Sequence, residues 1–130
     1  MHNFKELKIW QKSRVLTKKI YLLIKDYPEE EKFGLVSQIR RSAISIPSNI
    51  AEGSGRNSDR DFRRFLNIAL SSAFELETQI ILSFDLDYLL EIDYLKISEE
   101  IQEVQKMIFG FRKSLSKVNK SYNFLLSLLF

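Results

Sequence analysis

The chain has 130 residues, of which 45% are hydrophobic and 28% charged, with two prolines, four glycines and no cysteine. These totals fit one helical domain, exclude disulfides and thiolate metal sites, and make the cytoplasm the expected location. The net charge of +3 is unevenly placed: residues 1–64 carry 14 Lys/Arg against 8 Asp/Glu, and residues 65–130 carry 6 against 9.

The opening, MHNFKELKIWQKS, is charged almost from the start and lacks the apolar core of a signal peptide. From Phe4 to Tyr27 the periodicity is helical, with Ile9, Leu16, Ile20, Leu23 and Tyr27 on one face and further apolar residues on both flanks. Pro28 ends this element. A second helix is expected over Glu30–Glu52, its core stripe Leu35, Val36, Ile39, Ala43, Ile46 and Ile50. Beside that stripe runs a polar one: Gln38, Arg41, Ser42, Ser45, Asn49 and Glu52. Polar groups next to a core need partners, so the polar stripe reads as hydrogen bonds to a neighbouring helix or subunit, or else as a binding strip. Pro47 predicts a kink or break, and Gly53 is placed to cap the C-terminus.

Ser58 reads as an N-cap for a third helix over Asp59–Leu89, with Phe62, Phe65, Leu66, Ala69, Ala73, Leu76 and Ile80 on one face and Leu70, Phe74, Ile81 and Tyr88 beside it. A fourth helix starts near Asp93 or Tyr94. Its residues Ile97, Ile101, Val104, Ile108, Phe111 and Leu115 are spaced as a heptad seam, and Val118, Tyr122, Leu125 and Leu129 extend the pattern. Short connections between long helices predict an all-α, antiparallel up-down-up-down four-helix bundle. The bundle is assigned to residues 1–117. Residues 118–130 form an apolar tail that either prolongs helix four or frays. No stretch reads as a membrane span. Apolar residues on several faces of helices one and three predict self-association.

Chemistry is sparse. The lone histidine, His2, is expected at a mobile terminus, which argues against a Ser-His-Asp site, and no Glu-x-x-His pair suggests a di-iron centre. No enzyme activity, cofactor or metal is expected. The arginines carry more information. Arg60, Arg63 and Arg64 lie opposite Phe62, Phe65 and Ala69 on helix three, Arg56 precedes them, and Arg40 and Arg41 lie on helix two. Guanidinium forks suit phosphate oxygens, so these six are the candidate contacts to RNA or DNA. The competing reading is that Asp59, Asp61 and Glu52 neutralise them, or that they pair across a subunit interface.

The stretch GLVSQIRRSAISIPSNIAEGSGR, residues 34–56, resembles the bacterial four-helix-bundle family named for 23S rRNA intervening sequences. FKELKIWQKS from Phe4 resembles its N-terminal motif. So does FLNIALSSAFELETQI at 65–80, with Ala69-x-x-Ser72 and Glu75-Leu76-Glu77, although Ser71 stands where the family often has glycine. The resemblance implies a four-helix bundle assembled as a homopentamer, with no catalytic residues. A related branch, the accessory proteins of diversity-generating retroelements, binds a reverse transcriptase and nucleic acid through basic surfaces. Two functions follow from the residues and the resemblance: nucleic-acid binding, or a scaffold for a protein partner such as a reverse transcriptase. The matching positions Arg40, Arg41, Ser45, Pro47, Asn49, Glu52, Gly53 and Arg56 suit a role in the fold as well as one in binding.

Overall fold

The computed structural model describes residues 2–115 and 120–130. Among them are five α-helices: α1 (Lys8–Leu23), α2 (Leu35–Ser54), α3 (Asp59–Asp85), α4 (Glu91–Ser114) and α5 (Lys120–Leu129). The first four are long, and the all-α class expected from the periodicity is the one observed. Each packs on its sequence neighbour, and α4 closes against α1.

The contacts fix the helix directions. Along α2, Arg41, Ser45 and Gly53 meet Glu75, Ser72 and Phe62 of α3, so one helix rises as the other descends. Between α3 and α4, Asn67 meets Arg112 and Glu77 meets Gln102. Thr17 of α1 reaches Ala43 of α2, while the amide of His2 reaches the Ser54 carbonyl. Successive helices are therefore antiparallel.

The core holds the predicted seam. Ile97, Ile101, Val104, Ile108, Phe111 and Leu115 of α4 are all buried, against Ile9, Leu16 and Ile20 of α1, the α2 stripe and the Phe62–Ile80 face of α3. A shallow heptad seam buries one residue per turn in this way. By length and mean hydropathy α3 would suffice to cross a membrane, and half of that stretch is buried within the bundle.

Several boundaries differ from the sequence reading. Phe4–Glu6 form a 3₁₀ turn capped by the Asn3 side chain, and extended Leu7 separates that turn from α1. Ile24–Asp26 form a second 3₁₀ turn, and the acidic run Glu29–Glu31 is a third rather than the start of α2. Gly34 adopts φ −107, ψ −111, and α2 begins after it, with the Glu31 carboxylate accepting from the Leu35 amide. α3 stops at Asp85, where Asp87 takes φ 62 and the Tyr88 amide returns to the Ser83 carbonyl. The tail forms α5, and Phe130 lies against Gly110 of α4. A straight continuation of α4 would put those two residues roughly 30 Å apart. Val118 and the side chain of Tyr122 lie outside the described residues.

Pro47 neither breaks nor terminates α2, which runs through it to Ser54. A proline lacks the N–H that would serve the carbonyl four residues earlier, here that of Ala43. The Thr17 hydroxyl donates to this carbonyl at 3.1 Å, a proton it shares with its own helix at Ser13. The partner missing within α2 is thus supplied by α1. A Thr17→Val chain keeps the shape and removes the donor. It should lose about 1–2 kcal/mol in urea unfolding, the cost of leaving a part-buried acceptor unpaired. Unchanged stability would show that the hydroxyl is dispensable.

Candidate nucleic-acid interface

The antiparallel order collects the starts of α1 and α3 and the ends of α2 and α4 at one end of the bundle. That end is built by close packing. Gly53 of α2 lies against Phe62 and Phe65, and a Cβ there would sit 2.7 Å from the Phe65 Cβ. The Phe62 and Phe111 rings pack at 5.4 Å, and the His2 ring stands edge-on to Phe62 at 5.2 Å. His2 is therefore docked rather than mobile. Burial holds its imidazole below its ordinary pKa, so at neutral pH it adds no charge to this end.

Over this platform lie four of the six predicted arginines. Arg60, Asp61, Arg63, Arg64 and Asn67 line an open concavity of about 530 Å³ at the start of α3. Arg63 donates to the carbonyl of Leu115 and so caps the end of α4, a favourable place for a cation. Arg56 and Arg64 each lie over the Phe65 ring at 4.7 Å, which restrains both guanidiniums before any ligand arrives. Their acidic partners are loosely held: Arg56 meets Glu52 at 3.2 Å and Arg64 meets Asp61 at 3.7 Å, all well exposed. Exposed pairs of this kind contribute little and exchange readily for a stronger anion. Arg60 makes no ion pair, hydrogen bond or ring contact among the described residues.

The structure does not bring Arg40 and Arg41 to this place. Arg40 lies over the Tyr21 ring at the α1–α2 seam. Arg41 pairs with Glu75 and with Gln38 at the α2–α3 seam. Arg41 lies thirteen residues, roughly 20 Å of helix, before the end of α2 at Ser54, and Arg56 lies beyond that end. Conversely, Arg112 of α4 joins the site by donating to Asn67 at 2.7 Å. No local signal in the sequence connects Arg112 with Arg64; only the closure of α4 against α3 does so.

Within the polar stripe of α2, Arg41, Ser42 and Ser45 reach α3, while Gln38, Asn49 and Glu52 meet partners on α2 itself or just beyond its end. The Ser42 hydroxyl donates to Gln79 at 2.6 Å, the Ser45 and Ser72 hydroxyls are 2.8 Å apart, and Asn49 donates to Ser45. Several of the motif residues that carry the resemblance, Arg41, Ser45, Ser72 and Glu75 among them, are therefore fold-linking.

Charge follows the architecture. Residues 2–8, 52–64 and 109–115, which make up this end, hold eight Lys/Arg against four Asp/Glu. Residues 25–32 and 85–96, at the opposite end, hold three against eight. Among the described residues, no three His, Asp or Glu side chains converge to hold a metal ion.

A family model of the 23S rRNA-intervening sequence protein matches residues 5–110. No curated protein matches the chain. Among solved structures, a protein of unknown function from the S23 ribosomal protein family of Bacteroides thetaiotaomicron VPI-5482 is similar. It is 30% identical, with a TM-score of 0.73 over 81% of this chain and 98% of that one. With both its sequence motifs and its four-helix architecture accounted for in this way, the chain belongs to the 23S rRNA-intervening sequence protein family.

Proposed function

We propose that this protein is a non-catalytic, self-associating helical bundle that binds RNA or DNA through its basic end. The observation that carries the reading is the concavity lined by Arg60, Arg63, Arg64 and Asn67, with Arg56 and Arg64 held over Phe65. Its donors converge, and Arg56, Arg63 and Arg64 are restrained by their own contacts, which suits the phosphate backbone rather than base edges. Binding is therefore expected to be largely independent of sequence. Self-association is supported by apolar side chains that one bundle leaves in water, such as Val15, Leu22, Phe74 and Phe109, each at least half exposed. The family resemblance implies a ring of five.

The test is an anisotropy titration of labelled rRNA fragments and duplex DNA, with light scattering on the same sample. The expected mass is a multiple of 15.3 kDa. Affinity should fall linearly on a log–log plot against salt, with a slope of about −0.7 to −0.9 per phosphate neutralised. Absence of binding at low salt would overturn the nucleic-acid reading and leave the protein-scaffold reading, in which the arginines serve the fold and its interfaces.

A further inference from the structure

The opposite end of the bundle has a different character. There the 3₁₀ turn Glu29–Glu31 and Phe33 precede α2, and the connection Leu86–Leu90 leads from α3 into α4. The two connections meet where the Tyr27 and Tyr88 rings pack at 5.3 Å, and Phe84 of α3 stacks on Tyr94 of α4 at 4.4 Å. Large apolar side chains project from this place into solvent. Phe33 is 89% exposed, Leu90 72%, Ile92 60% and Leu95 57%. Leu90, Ile92 and Leu95 fall within six residues about the start of α4, and such a run of exposed apolar side chains, unlike a single one, marks a contact surface.

The carboxylates around this patch are free to meet a cation. Asp26, Glu30, Asp85, Asp87, Glu91 and Asp93 make no salt bridge among the described residues. The nearby lysines, Lys25, Lys32 and Lys96, are too few to neutralise them, and Lys32 already spans Glu29 and the Phe33 ring. Nucleic acid is repelled here. An apolar ligand without charge would leave the carboxylates with no partner.

We propose that this end is a docking surface for a basic, amphipathic segment of another protein, whose apolar side chains cover Phe33, Leu90, Ile92 and Leu95 while its Lys or Arg residues meet the surrounding carboxylates. Helix-on-surface recognition of this kind places apolar anchors centrally and charge pairs at the rim. The charge complementarity selects the occupant. A second copy of this chain would have to present its own basic end, where the exposed Phe109 lies beside Arg112, at the far end of the bundle from this surface. Joining copies in that way would also be head-to-tail and open-ended, unlike the closed assemblies most soluble proteins form. The surface lies at the opposite end from the arginine concavity, so a bound partner leaves the nucleic-acid site open.

The probe is a labelled helical peptide of Lys and Leu, with leucines at helical spacing, titrated with the full chain by anisotropy. The whole protein is net positive, so binding of a cationic peptide requires a local acidic surface. Micromolar, salt-sensitive binding is expected, and a peptide with Ser in place of Leu should bind at least about tenfold more weakly. Phe33→Ser/Leu90→Ser should weaken binding at least about tenfold through the apolar centre. Glu30→Gln/Glu91→Gln should weaken it less and flatten its salt dependence, because rim charges act mainly by long-range attraction. No binding, or equal binding by both variants and the parent, overturns the proposal. So does a fall in oligomer mass on Phe33→Ser/Leu90→Ser, which would show that the surface joins copies of this chain.

Discussion

A Gly53→Ala chain should unfold at clearly lower urea than the parent, by about 2–3 kcal/mol, although alanine is the better helix former. Gly53 lies in the last turn of α2, buried, with φ outside the left-handed region. It is therefore not a cap of the left-handed kind that the sequence suggested. Its value is the absent side chain: a Cβ would stand 2.7 Å from the Phe65 Cβ and 2.9 Å from the Phe62 ring. The Phe65 Cβ is rigidly tied to the α3 backbone, so α2 and α3 must separate to admit the methyl group. Overpacking of this kind outweighs the roughly 1 kcal/mol that alanine gains in helix propensity. Gly55→Ala is the matched control. Its added Cβ meets only the Glu52 carbonyl, at 3.6 Å, so its stability should be unchanged or slightly higher. Equal stability of Gly53→Ala and the parent would show that the helix contact relaxes without cost.

What could be read in advance was whatever a single helix carries within itself. The α4 seam is a run of residues three and four apart, and every predicted member from Ile97 to Leu115 is buried. Ser58 was recognisable as an N-cap, and its side chain accepts from the Asp61 amide. The differences have two causes, one distant in sequence and one local. Pro47 is accommodated because Thr17, thirty residues earlier, faces the Ala43 carbonyl, a contact that no pattern within α2 reveals. The glutamates at 29–31 suited a helix start, yet Gly34 delays α2 and Glu31 caps it from outside. The candidate site divided in the same way. Arg60, Arg63 and Arg64 are neighbours on one helix and line one concavity. Arg40 and Arg41 are close in sequence but sit at two other seams, and Arg112 entered only through the packing of α4 on α3.

The same division makes the second large effect selective. An Arg60→Ala/Arg64→Ala chain should bind RNA and DNA on the order of 100-fold more weakly at low salt, since each charge-assisted contact contributes about 1.5–3 kcal/mol. Its log–log salt slope should be shallower by about two, because two fewer counterions are displaced. These residues suit the test because Arg64 has only an exposed partner, at 3.7 Å, and Arg60 has none among the described residues. Arg63 does not suit it: removing its hydrogen bond to the Leu115 carbonyl would disturb the end of α4 and confuse binding with folding. Arg41→Ala supplies the contrast. It deletes an equal charge roughly 16–22 Å from Arg64 and Arg60, counted along α3 from its partner Glu75, and leaves Glu75 unpaired at the α2–α3 seam, so it should barely alter the salt slope. If Arg41→Ala and Arg60→Ala/Arg64→Ala reduce affinity alike, the chain attracts nucleic acid by overall charge and the concavity is not the site. If only the double variant does so, the phosphates lie where α3 begins.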